Sequence, residues 1–215
     1  MLDIKQLVFN PFDENTYLVS DRATGDAIVI DPGMHTPKEQ KRFSDYVRER
    51  GLKIKEIVLT HMHLDHCFGV NRLSREYGVP VAASAADAIL GVSIVGQATR
   101  FGIYLPEGEA VRAGVELADG DEVRFGDETL KVIAVPGHSP GGIALYSASG
   151  KVVFTGDSLF RRSIGRTDLP GGNGRQLVES VTEKLLSLPP DTLVLPGHGP
   201  STTIGEERLG NPFLV

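Results

Sequence analysis

The sequence predicts an α/β protein, on three observations. Short apolar runs alternate with helical patterns along the whole chain, the signature of mixed α/β architecture. Hydrophobic residues make up 40% and charged residues 23% of the 215, an ordinary globular balance. No low-complexity tract, long charge run or linker-like segment divides the chain, so the expectation is one domain spanning residues 1–215.

Strand-like runs fall at residues 4–9, 16–20, 27–30, 54–60 and 80–83, and a second set at 122–125, 130–135, 143–147, 152–155 and 192–195. Helical stretches punctuate these strands. Thr36-Pro37-Lys38-Glu39 reads as a capping box with Pro at the first helical position, and Gly51 stands where a C-terminal Gly belongs. Phe43, Tyr46, Val47 and Arg50 form the stripe of that helix. A second helix runs from about His66 to Tyr77. A third is capped by Asn173, repeats Leu177, Val181 and Leu185 every fourth residue, and stops at Pro189-Pro190. The two halves share a coarse plan: several strands, a helix, then a strand ending at a histidine. That plan fits two stacked sheets with helices outside, and periodicity alone fits a doubly wound sheet equally.

Composition narrows the function classes. The single Cys67 cannot form an internal disulfide and fits a reducing compartment. No run approaches 18 apolar residues and the N-terminus lacks an apolar signal core, so a cytoplasmic protein without a membrane partner is expected. A net charge of −6 argues against a dedicated nucleic-acid binder, whose affinity comes from Lys and Arg at phosphates. The expected partner is a small-molecule substrate. Oligomeric state is not readable.

Chemistry concentrates in the histidines. Three of the six lie in His61-Met62-His63-Leu64-Asp65-His66, directly after the strand-like Glu56-Ile57-Val58-Leu59-Thr60. Apolar strands avoid such clusters, because each buried imidazole needs a hydrogen-bond partner. Val135-Pro136-Gly137-His138 and Leu195-Pro196-Gly197-His198 also follow strands, and Thr155-Gly156-Asp157 ends another. Four strands therefore each deliver potential metal ligands at their exits, where α/β proteins build sites. The candidates are His61, His63, Asp65, His66, His138, Asp157 and His198; one tetrahedral ion needs about four ligands, so seven suit two ions sharing a carboxylate.

These motifs, in this order and with Asp31-Pro32-Gly33 after the third strand, resemble the metallo-β-lactamase-fold hydrolases over almost the entire chain. Phe154-Thr155-Gly156-Asp157-Ser158-Leu159-Phe160, Pro136-Gly137-His138-Ser139-Pro140-Gly141-Gly142 and Leu195-Pro196-Gly197-His198-Gly199 are similar to the glyoxalase II (hydroxyacylglutathione hydrolase) branch. The resemblance implies a four-layer αββα sandwich of the metallo-β-lactamase type. It assigns His61, His63 and His138 to one metal, Asp65, His66 and His198 to a second, and Asp157 to both. Asp65 and Asp157 become the catalytic carboxylates, and the cofactor two divalent ions, zinc first, with iron or manganese as alternatives. Zinc lowers the pKa of bound water to about 7, which supplies a hydroxide to attack a small thioester. Only 17 residues follow His198, which matches the short form rather than proteins with a helical glutathione-gripping C-terminal region. Gly165-Arg166-Thr167-Asp168 is also similar to the persulfide dioxygenases of this fold. Their mononuclear iron would use His61, His138 and Asp157 as a two-His, one-carboxylate triad.

Residues 85–111 read as a helix on the outer face of the sandwich. Its later part, with Phe101 and Tyr104, is a candidate pocket wall or subunit contact. Arg161, Arg162 and Arg166 read as solvated loop charges or as holders of a substrate carboxylate. Cys67 reads as a packed helix thiol, and His35 as a loop residue.

Overall fold

In the computed structural model, which describes residues 1–105 and 109–214, the alternation of strand residues sorts side chains into three apolar layers. The first sheet holds β1 (Leu2–Phe9), β2 (Glu14–Asp21), β3 (Asp26–Ile30), β4 (Lys53–Val58), β5 (Val81–Ala83) and β6 (Val115–Glu116), in that spatial order. β1 to β3 pair antiparallel and β3 to β6 parallel. The chain then forms β7 (Glu122–Phe125), β8 (Glu128–Ala134), β9 (Ile143–Ser147) and β10 (Val152–Gly156), a small ribbon of β11 (Leu159–Phe160) with β12 (Ser163–Ile164), and β13 (Leu193–Pro196) and β14 (Thr202–Thr203). The second sheet is ordered β14-β13-β10-β9-β8-β7, and only its β10–β13 pair is parallel.

Period-2 alternation explains the layering. Tyr17, Val19, Ile28 and Ile30 point between the sheets, meeting Phe125, Val132, Leu145 and Phe154 of the second. Their neighbours Leu18, Ala27 and Val29 face the other way, under helices α1 (Pro37–Glu49), α2 (Val70–Tyr77), α3 (Ala88–Val92) and α4 (Ile94–Arg100). On the far side of the second sheet, Ala144, Val153 and Val194 pack against Leu177 of α5 (Gly174–Ser180) and Ile204 of α6 (Ile204–Gly210). The architecture is αββα, as the resemblance implied. A fully buried Leu, Ile, Val or Phe contributes about 1.5–3 kcal/mol, so the inter-sheet layer is a main source of stability.

Local signals behave as the residues dictate. Thr36 caps α1 reciprocally with Glu39, whose carboxylate also accepts the Asn10 N–H at 2.8 Å, tying the helix to the end of β1. Asn173 caps α5, which continues as a π-helical segment, Val181–Leu185. The helix expected from His66 starts later. Residues Leu64–His66 form a 3₁₀ turn, and the Gly69 N–H donates to Pro32 O at 2.7 Å, so the chain turns before α2 begins at Val70. The helix expected over 85–111 is a 3₁₀ turn, Ala85–Asp87, followed by the short α3 and α4, and residues 106–108 of that reading lie outside the described residues. No helix among the described residues is long and apolar enough to cross a membrane.

Candidate metal centre

The C-terminal ends of four strands supply the cluster. β4 runs into Thr60 and the His61–His66 hexapeptide, β8 into the turn bearing His138, β10 into Asp157, and β13 into His198. The sheets are laced together at this end. Ile143 N donates to Thr60 O at 2.9 Å, Asn15 N to Gly197 O at 2.8 Å, and the Tyr17 hydroxyl to Pro196 O at 2.8 Å.

Two groups of donors result. His63 Nδ1 lies 2.8 Å from His138 Nε2, which lies 3.2 Å from His61 Nε2. His198 Nε2 lies 3.1 Å and His66 Nε2 3.7 Å from Asp65 Oδ2. Asp157 stands between the groups: its Oδ2 is 3.6 Å from both His138 Nε2 and His198 Nε2, and its Oδ1 3.4 Å from His66 Nε2. All seven residues named from sequence are brought together.

Four of the five imidazoles have a partner on the outer ring nitrogen, which turns the other nitrogen toward the centre. His138 Nδ1 donates to Arg166 O at 2.7 Å, His198 Nδ1 to Phe12 O at 2.9 Å, and His66 Nδ1 to Asp31 Oδ2 at 3.1 Å. His61 Nδ1 donates to Thr60 Oγ1 at 3.1 Å, whose own hydroxyl donates to Asp31 Oδ2 at 2.6 Å. Such outer acceptors fix the tautomer and aim the lone pair inward.

Electrostatics favour a cation here. Burial, then the neighbouring histidines, hold His61 well below the usual imidazole range; burial and His138 bring His63 down to about 4. Both are therefore neutral, the form that binds metal. Burial also penalises charge on His66, yet Asp65, Asp157 and Asp31 together outweigh it and push that imidazole well above its usual value. Burial opposes ionisation of Asp157 too, but His66, His198 and His138 hold it well below the carboxylate range. The carboxylates around His66 thus favour positive charge at this point of the centre.

The donor set fits divalent metal ions. A tetrahedron with bonds of about 2.0–2.1 Å has edges of about 3.3 Å, close to the separations above. His66 Nε2 and Asp157 Oδ1 are buried without a hydrogen-bond partner, which is costly unless they ligate something. Gly197 leaves the space: a Cβ there would lie 2.3 Å from Asp157 Oδ1.

The metallo-beta-lactamase superfamily model matches residues 9–198. The chain belongs to that superfamily. It is 35% identical to hydroxyacylglutathione hydrolase GloC of Haemophilus influenzae, covering 99% of this chain and 98% of the relative. Among solved structures, TTHA1623 in a di-iron-bound form superposes with a TM-score of 0.86 at 38% identity, covering 98% of this chain and all of the other. ETHE1 from Myxococcus xanthus gives 0.80 at 34%, covering 98% of this chain and 83% of the other.

In this member of the superfamily the centre opens into a recess of about 370 Å³, walled by Phe12, Phe101, Phe160, Leu169 and Arg166. Of the proposed substrate contacts, Phe101 and Arg166 line it, although Arg166 is held in a two-bond ion pair with Asp168. The others lie outside its lining. Tyr104 is 80% exposed, Arg161 is exposed, and the Arg162 guanidinium donates to Gly210 O at 2.6 Å. Cys67 is buried beside the 3₁₀ turn, its thiol pushed up chiefly by burial, and His35 packs on Phe68 with ring centres 4.4 Å apart. Sequence reasoning did not assign Asp31 its place behind His66. It also missed Asp87, which accepts from Met62 N and Ser139 Oγ at 2.9 Å each and from Gly141 N, bridging two ligand loops. The Asp31-Pro32-Gly33 element was the available signal for the first; nothing in the apolar surroundings of Asp87 marks the second.

Proposed function

We propose that the protein is a metal-dependent hydrolase of small thioesters. The observation that carries this reading is Asp157, whose two oxygens face both halves of a seven-donor cluster. His61, His63 and His138 would hold one ion and Asp65, His66 and His198 a second, with Asp157 serving both. Bound divalent ions supply Lewis acidity, lowering the pKa of water toward 7 and polarising an acyl carbonyl. The chain's part is to orient and to exclude. Asp31, Arg166 O and Phe12 O hold the imidazoles in register, while Phe12, Phe101 and Phe160 form an apolar mouth that limits water around a bound acyl group. Thioester chemistry is supported by the similarity to hydroxyacylglutathione hydrolase GloC. A cytoplasmic location and a small-molecule partner belong to the same proposal.

A second reading, an iron-dependent persulfide dioxygenase, draws on the subset His61, His138 and Asp157, two imidazoles and a carboxylate within one cluster. Metal analysis combined with thioester hydrolysis and oxygen uptake separates them. The hydrolase reading expects about two ions per chain, thioester turnover without oxygen consumption, and loss of turnover to background in Asp157→Ala. One iron per chain with persulfide-dependent oxygen uptake overturns it.

A further inference from the structure

Beside His63 a side pocket of about 190 Å³, walled by Leu90, Phe101, Leu169 and Pro170, adjoins the metal-centre recess. His63, Gln97, Phe101 and Leu169 line both spaces, so the two are neighbours with shared walls. Helix α4 and its N-cap Ser93 supply one wall through Ser93, Gly96, Gln97 and Arg100, which share a face at helical spacing. Gly96 contributes no side chain, and a Cβ placed there would meet nothing within 4 Å. Gln97 is committed to the protein, accepting from Leu64 N at 3.0 Å and donating to Leu90 O at 3.0 Å.

Arg100 is different. Its guanidinium is the one permanent charge among the residues lining this pocket, and it lies in no ion pair or hydrogen bond among the described residues. Arg166, which lines the larger recess, and Arg162 already have acceptors. Arg100 sits close enough to the Asp168-Leu169-Pro170 wall for its charge to help Arg166, the main cause, hold Asp168 down at about 2.

We propose that this side pocket selects thioesters whose short acyl chain ends in a carboxylate. The chain would lie against Phe101, Leu169 and Pro170, and the carboxylate would reach Arg100. The inference rests on the hydrolase reading above. Size supports it: at about 30 Å³ per water-sized group, 190 Å³ holds about six non-hydrogen atoms, a few methylenes and a terminal carboxylate. The larger recess, about 370 Å³, is left for the thiol half. In the reaction the oxygen of water bonds to the acyl carbon, the C–S bond breaks, and the sulfur leaves with the electron pair and takes up a proton. A dicarboxylic acid and a thiol result, with no change of oxidation state.

The test compares glutaryl and pentanoyl thioesters of one thiol, N-acetylcysteamine, on the metal-loaded protein. A charge-assisted contact predicts at least a tenfold higher kcat/KM for the glutaryl compound, carried by KM. Arg100→Gln should collapse the ratio toward one, while Arg175→Gln, a surface control, keeps it. Gly96→Leu, which improves helix propensity while filling the pocket, should move the preferred chain to a shorter one. An equal or reversed preference in the unaltered protein, or a preference that survives Arg100→Gln, overturns the proposal. Calorimetric titration with glutarate and pentanoate needs no turnover and separates the two readings. Glutarate binding lost in Arg100→Gln, without hydrolysis of either thioester, keeps the carboxylate pocket and overturns the hydrolase. Hydrolysis of both thioesters with glutarate binding indifferent to Arg100 keeps the hydrolase and overturns the pocket.

Discussion

Asp31 accepts from Thr60 N at 2.7 Å, from the Thr60 hydroxyl and from His66 Nδ1, and through that hydroxyl it also orients His61. One carboxylate therefore aims a donor into each half of the centre. Asp31→Ala would strand a buried N–H, at a cost of about 1–3 kcal/mol, and weaken metal affinity about 10–100-fold. Urea denaturation of the metal-free protein and competition against a chromophoric chelator measure these separately. Asp21 makes a different prediction. It is buried, and N–H donors from Ala23 and Asp127 hold its carboxyl well below the usual range. Its folded-state pKa is lower than the unfolded one, so its stabilisation is complete above about pH 5 and is lost as pH falls below about 4. Asp21→Asn should flatten the stability–pH slope in that acid window, read from denaturation midpoints. At this scale the ligands were legible because four crowd one hexapeptide and three follow turn residues. The arginine proposed to read the acyl carboxylate was not. Arg161, Arg162 and Arg166 stood out by proximity in sequence to Asp157, whereas Arg100 reaches the pocket only through the placement of α4.

Elements with strong internal patterns were readable, and those defined by pairing alone were not. α1 carries its capping box and the long strands carry their alternation. The two-residue strands β6, β11, β12 and β14 have no periodicity to detect, and the seven-residue α6 announces itself only by its Thr203 cap. The loop between β8 and His138 shows what a turn must do for the centre. Gly137 has φ +136°, and a Cβ there would lie 2.3 Å from Leu177 N, so α5 packs directly on the turn. Gly137→Ala should cost about 1–3 kcal/mol in backbone strain alone and displace His138. Thermal unfolding and metal stoichiometry would show both effects; an unchanged stoichiometry would mean that α5 yields instead of the turn.

For the molecule as a whole, the α/β class was evident from sequence, but stacked sheets could be told from a doubly wound one only through the motifs. Local periodicity does not say which strands share a sheet, and the parallel β10–β13 pair joins residues about 40 apart. The sheets meet through Phe154 and Tyr17, whose rings pack edge-on at 5.2 Å. Phe154→Ala should therefore destabilise by about 3–5 kcal/mol in chemical denaturation. Each proposed ion draws donors from both sheets: His61 and His63 with His138, and Asp65 and His66 with His198. Each ion at 1,000 times its Kd would add about 4 kcal/mol by linkage, so two would add about 8 kcal/mol. At about 2–4 °C per kcal/mol for this size, chelation of both should lower Tm by about 16–32 °C and reloading should restore it.

Asp87 sits where α3 begins and takes bonds from Met62, Ser139 and Gly141, and Gln97 ties the following helix to Leu64 and Leu90. The wall that carries Arg100 is thus anchored to the same loops that carry the ligands. It cannot swing aside without unpicking the centre itself. Under the proposed reading, an arriving acyl chain would meet a finished mould, spend little on ordering its host, and be sorted by length on entry instead of by a closing motion.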